Sequence, residues 1–239
     1  MVDDGKGTEG MSEEPGRRRY DSLRRTAQAQ QTRADIARAA LELFVSHGWA
    51  ATTVRDVARE AGVSVPTVYA AYGNKTGLTR ALADAADLSA DVPRLIAELE
   101  SPTTDPARQL AAMASYDRRL YERAGDVITL VREAGRSEPE LATLYHDSRI
   151  RGDRTRVQVF SSWPPGVLCT GLDVPSAVDV YAALCNIDVY TVLTGERGWS
   201  PDRVERWWCR ALARELLGVF GPPLQGHSDG DPEVGHGLE

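Results

Sequence analysis

The chain has 239 residues, enough for one large or two small domains with a sizeable core. It is 42% apolar and 26% charged, an ordinary soluble composition. No apolar run approaches the length of a membrane span, and the acidic, glycine-rich N-terminus does not look like a signal peptide, so a cytoplasmic protein with no membrane partner is expected. The net charge of −7 argues against a general nucleic-acid coat, but the charge is unevenly placed. From Arg17 to Arg80 there are eleven Arg and Lys against five Asp and Glu, a local +6 that leaves −13 on the rest, as in a DNA-binding module joined to an acidic body.

Residues 1–19 are Gly, Asp, Glu and Ser followed by three arginines, and read as a disordered tail. Arg17, Arg18, Arg19, Arg24 and Arg25 could serve as a basic arm on DNA or simply be solvated. Thr32 opens the first helix, with Ile36, Ala39, Ala40, Leu43 and Phe44 as its core stripe and an end near Gly48. In the next stretch Val54, Val57, Ala58 and Ala61 recur at helical spacing. Thr52 or Thr53 can cap that helix, Asp56 sits in its first turn where the helix dipole favours an anion, and Gly62 follows its last periodic residue. Ser64 can cap the following helix, Val63 and Val68 occupy hydrophobic-staple positions, and Pro66 lies in the first turn, where its missing N–H costs nothing. Two short capped helices around a glycine turn form either a helix-turn-helix or an ordinary helical hairpin. The outward face favours the former: Val65, Thr67, Tyr69, Ala70 and Lys75 are small, hydroxylated or basic, as close approach to phosphates and base edges requires.

Lys75 and Leu78 open a fourth helix to about Leu88, with a break or kink at Pro93. Pro106 starts a helix through Leu110, Met113, Ala114 and Leu120; Gly125 punctuates, and Val127, Ile128, Leu130, Val131 and Ala134 form the next stripe. Glu138 and Pro139 start a helix with Leu141, Leu144 and Tyr145 on one face, whose polar second half, RIRGDRTR, is expected in solvent. After a loop, Asp173 caps a helix carrying Val178, Tyr181, Ala182, Cys185, Val189 and Val192. Ser200 caps the last, carrying Val204, Trp207, Trp208, Ala211, Leu212 and Leu216. Residues 221–239 are rich in Pro and Gly and read as disordered. No stretch alternates as a strand, so the expected fold is all-α: a three-helix DNA-binding head over residues 20–80 and a helical domain over 81–220.

Cys169, Cys185 and Cys209 have no zinc or disulfide spacing, and the four histidines are scattered, so no metal site and no cofactor is expected. No catalytic motif is present, and no enzyme activity is expected.

The run TTVRDVAREAGVS, then TVY, then a lysine six residues beyond that tyrosine, resembles the DNA-binding segment of the tetracycline-repressor (TetR) family; the likeness covers roughly residues 32–80. After Tyr69 the family carries bulky aromatic or histidine residues where this chain has Ala70 and Ala71. The resemblance implies a double-stranded DNA operator as partner, with contacts from Thr52, Thr53, Arg55, Ser64, Val65, Pro66, Thr67, Tyr69, Ala70, Tyr72 and Lys75. It also implies a body that dimerises through its last two helices and encloses a small-molecule pocket. Val178, Tyr181, Cys185, Val189 and Val192 would meet Val204, Trp207, Trp208, Ala211 and Leu212 across a homodimer interface, with only one of the adjacent tryptophans facing the partner. Met113, Tyr116, Leu120, Val127, Leu144, Tyr145 and Trp163 are the candidate lining of a pocket for a largely apolar effector. The expected function is that of a homodimeric repressor released from a palindromic operator by a ligand. A DNA-binding structural protein would differ in having no effector, and an enzyme with an incidental helix-turn-helix would bind no DNA at low salt.

Overall fold

A computed structural model of the chain describes residues 14–89, 91–101 and 105–217. The fold is all-α: among the described residues there are ten α-helices and one isolated bridge, Leu168 to Leu217. The elements are α1 (Glu14–His47), α2 (Val54–Glu60), α3 (Val65–Tyr72), α4 (Lys75–Ser89), α5 (Val92–Leu99), α6 (Pro106–Ala134), α7 (Pro139–Ser161), α8 (Val174–Leu184), α9 (Ile187–Thr191) and α10 (Pro201–Leu216), with a π turn over Val192–Glu196.

Local chemistry sets most of the boundaries. Asp105, Asp173, Asn186 and Ser200 each accept a backbone N–H from three residues on, and proline stands in the first turn of α3, α5, α6, α7, α8 and α10. Pro93 ends no helix; it lies in the first turn of α5, whose N-cap Asp91 takes a left-handed conformation.

Three boundaries differ from the sequence expectation. The first helix begins at Glu14, so residues 14–19 belong to α1 rather than to a tail, while residues 1–13 and 218–239 lie outside the described residues. From Arg17 to Gln31 this stretch has neither Gly nor Pro and is mostly good helix formers, so the helix propagates outward from its packed half. Gly125 does not punctuate: α6 runs straight through it, because a Cβ there would come within 3.2 Å of Ile187 Cδ1 and glycine lets α9 pack close. The helix from Asp173 stops at Cys185, and Asn186 caps a separate α9. Val174–Glu196 does reach the length and apolarity of a membrane span, but this break divides it, and Val178, Tyr181 and Ile187 are buried in the protein core.

The buried residues form two clusters. One joins α5, α6, α8, α9, α10 and the end of α7 around Trp208, Tyr181, Phe160 and Leu212. The other joins the head to the body: Ile36, Ala40, Phe44, Trp49, Val57, Val68, Leu78 and Leu82 pack with Val127, Leu130, Val131 and Ala134 of α6 and Leu141 of α7. Head and body residues on the two sides of residue 80 thus pack in one cluster.

Candidate DNA-binding head and ligand cavity

In the head, α2 and α3 form the expected helix-turn-helix. Thr53 caps α2 in a reciprocal box with Asp56. Its hydroxyl accepts from the Asp56 N–H at 3.2 Å, and Asp56 Oδ2 accepts from the Thr53 N–H at 3.0 Å and from the Thr53 hydroxyl at 2.6 Å. Those bonds, the hydroxyl first, hold the Asp56 carboxyl below its ordinary pKa. Gly62 takes φ +66° at the turn, and Ser64 caps α3 by accepting from the Thr67 N–H. Asn74 caps α4 through the Gly77 N–H at 2.6 Å, and Gly77 is itself required: a Cβ there would collide with the Tyr72 carbonyl oxygen.

Thr53, Arg55, Ser64, Pro66, Tyr69 and Ala70 are exposed, with Val65 and Thr67 half-buried beside them; Tyr69 is 50% exposed. Three of the expected contact residues have other partners. Thr52 is buried, and its hydroxyl is bonded to the Leu43 and Gly48 carbonyls at 3.2 and 2.9 Å, where α1 ends with carbonyls that lack helical partners; it latches α1 and does not face outward. Tyr72 donates to the Arg33 carbonyl at 2.8 Å while the Arg33 guanidinium lies over its ring and bonds the Ala71 carbonyl, a clasp between α1 and α3. The Lys75 ammonium rests 3.7 Å from the Trp49 ring centroid. Burial draws its pKa down, and Glu138 partly offsets this.

In the body, a cavity of roughly 380 Å³ opens between α4, α5, α6, α7 and α8. Six of the seven expected lining residues border it: Met113, Tyr116, Leu120, Val127, Leu144 and Tyr145. Trp163 does not; its ring packs on Phe160 at 4.8 Å between centroids and its indole N–H bonds Gln109 Oε1, because α7 ends at Ser161 and the chain turns away.

The cavity also holds polar groups not expected from the sequence. Asp117 is buried on α6 and lines it, with Oδ2 accepting from the Tyr181 hydroxyl at 2.9 Å and from Arg156 at 3.3 Å. Arg156 also pairs with Asp153 at 2.9 Å and stacks 4.5 Å over the Tyr181 ring. Burial raises the Asp117 pKa, opposed by Arg156 and the Tyr181 hydroxyl; burial works against the Arg156 charge, but Asp117 and Tyr181 more than offset it, and its pKa is raised. The segment RIRGDRTR is therefore only partly solvated: Arg149, Arg151 and Arg154 are exposed, but Arg149, Arg151, Gly152, Asp153, Thr155 and Arg156 all border the cavity. One signal for Asp117 was present in the sequence. It stands seven residues after Leu110 and four after Met113, a carboxylate inside an apolar stripe.

The expected dimer surface is corrected by burial. Val178, Tyr181, Cys185, Val204, Trp208, Ala211 and Leu212 are buried within their own subunit, and Tyr181 and Cys185 border the cavity. Area already removed from water cannot be buried again against a partner. Only Val189, Val192 and Trp207 keep surface. Trp208 is the inward tryptophan, at 0% exposure, while Trp207 is half-buried and meets Trp199 edge-on at 6.2 Å.

Residues 36–82 match the family described as bacterial regulatory proteins, tetR family. The transcriptional regulator TtgR of Pseudomonas putida is 44% identical over 63 residues, 26% of this chain and 30% of TtgR, so the chain spans less than a third of that curated relative in the match. Whole-chain likeness is to solved structures. NalD of Pseudomonas aeruginosa, the secondary repressor of a multidrug efflux pump, superposes with a TM-score of 0.64 at 23% identity, over 81% of this chain and 100% of NalD. A transcriptional regulator from Saccharomonospora viridis, solved with choline, superposes with a TM-score of 0.62 at 22% identity, over 79% of this chain and 98% of its own. At these identities the likeness carries the fold.

Proposed function

We propose that this chain, which belongs to the tetR family of bacterial regulatory proteins, is a homodimeric, cytoplasmic transcriptional repressor that leaves a palindromic operator when a small molecule fills the body cavity. The observation that carries this reading is the shared core. Val127, Val131, Leu144 and Tyr145 border the cavity and also pack with the head cluster, so a ligand that shifts α6 or α7 acts directly on the residues that seat α1 and α4. A ligand can move the heads only by preferring one of their arrangements, and this common wall is where such a preference would be expressed.

On DNA, the exposed set Thr53, Arg55, Ser64, Pro66, Tyr69 and Ala70 presents hydroxyls, one guanidinium and small apolar groups. Hydroxyls and Arg55 suit phosphates, while Val65, Pro66 and Thr67 in the first turn of α3 suit thymine methyls. One such helix reads few base pairs, so a two-fold pair of heads is required for specificity. Val189, Val192 and Trp207 are the residues of the expected interface that keep surface to form that pair. The likeness to regulators of efflux and to a structure solved with choline supports a small organic effector.

The test is footprinting of the full chain on the DNA upstream of its own gene. Two protected half-sites about 34–36 Å apart, or a multiple of that, are expected. A chain that protects no fragment even at low salt would sink this reading.

A further inference from the structure

The buried carboxylate of the cavity, Asp117, is only half used. Both hydrogen bonds to Asp117 fall on Oδ2, and among the described residues Oδ1 accepts none. That oxygen is not one of the unpartnered atoms sealed inside the protein, and Asp117 borders the cavity. Asp117 and Asp153 share the guanidinium of Arg156, and Arg149, whose charge also favours the Asp117 carboxylate, borders the cavity with Arg151 from its solvent-exposed side. Asp117 itself is 4% exposed. The walls around Asp117 are aromatic and aliphatic: Tyr116, Tyr121, Met113 and Leu120. A carboxylate oxygen with a free lone pair among aromatic rings suits a cation that can donate an N–H. An anionic end placed there would meet Oδ1 head on.

Resting on the ligand-responsive reading above, we propose that the effector is a lipophilic amine, whose ammonium N–H donates to Asp117 Oδ1 while its apolar body lies against Met113, Leu120, Tyr121 and Val127.

Three probes with one apolar body separate the possibilities: phenylbutylamine, phenylbutanol and phenylbutanoate, titrated calorimetrically into the full chain. The amine should bind at least tenfold more tightly than the alcohol, and the carboxylate more weakly than either. Asp117→Asn should abolish the preference for amine over alcohol while keeping the affinity for the alcohol. Arg149→Gln should leave the preference within about twofold. Should Asp117→Asn fail to fold, the wild-type chain still decides: the N-trimethylated form of the amine, which is charged but has no N–H, should bind at least tenfold more weakly than the amine itself. Tightest binding by the carboxylate, an undiminished preference in folded Asp117→Asn, equal binding of the trimethylated form, or no binding of any probe would each overturn the proposal. Operator release is measured separately by gel shift. Amine binding without release leaves this inference standing and removes the induction reading; release by the carboxylate alone does the reverse.

Discussion

In the head, the polar contacts that close each turn join near neighbours: Thr53 to Asp56, Ser64 to Thr67, Asn74 to Gly77. Around the cavity they join distant ones: Asp117 meets Arg156 across 39 positions and Tyr181 across 64. The two regions also differ in what their side chains do once folded. Head residues of the right chemical type mostly stay outside, where they can meet DNA. Body residues of an apolar type are largely consumed by the core, and the polar ones are drawn inward to a pocket. A local pattern thus predicts a local device well, and it predicts a partner surface poorly wherever the same residues can satisfy one another within the subunit.

Four sets of substitutions test this contrast. The largest effects belong to the body core. Trp208→Ala should destabilise the fold by about 3–5 kcal/mol in urea unfolding, since the ring is fully buried among Tyr121, Tyr190 and its neighbours. Trp207→Glu should instead leave unfolding cooperative and shift the mass measured in solution from dimer to monomer; a stable dimer would remove Trp207 from the interface. Next, Asp117→Ala leaves the largely buried Arg156 guanidinium with Asp153 alone and the Tyr181 hydroxyl without its acceptor, and should cost about 3–5 kcal/mol, read by denaturant midpoint. Replacing both members, Asp117→Leu with Arg156→Met, should recover most of it, because no buried charge is then left unpaired. A loss that simply adds would mean that the pair is not coupled.

The shared core supplies the third. Leu141 lies in α7, in the body, yet packs with the head cluster at 0% exposure. Leu141→Ala should cost about 2–5 kcal/mol, and the environment of Trp49 in the head should change in the same transition, read by tryptophan fluorescence. Retention of a separate head transition would show that the head folds on its own. The smallest effect is local. Ser64→Ala removes the cap of α3 and should cost about 1 kcal/mol. Operator affinity should fall by more than this stability change if Ser64 also touches the backbone phosphates.

The difference in legibility follows from particular residues. Thr53, Gly62, Ser64 and Pro66 act through bonds and dihedrals within a few residues, and they hold the positions that their types require. Thr52 has the same chemistry as Thr53 one position earlier, yet it is buried under α1; only the path of the preceding chain decides between them. The stripe Val178, Tyr181, Cys185 is equally apolar whether it faces a partner or its own α6 and α10. Its direction was open until α6 proved to be one straight helix through Gly125 with room for both. Arg156 looked solvated because a guanidinium four residues before Phe160 reveals nothing about an aspartate one helix away.

The sequence by itself determined most of the helices, the caps at Ser64, Asp173 and Ser200, the helix-turn-helix and the apolar character of six cavity-lining residues, because capping and amphipathic periodicity operate over three to seven positions of one chain. The tertiary structure decided that head and body share a core, that Trp208 rather than Trp207 turns inward, and that Asp117, Arg156 and Tyr181 converge in the cavity. These depend on how helices far apart in sequence cross, and buried charges settle where a partner from another helix compensates their desolvation.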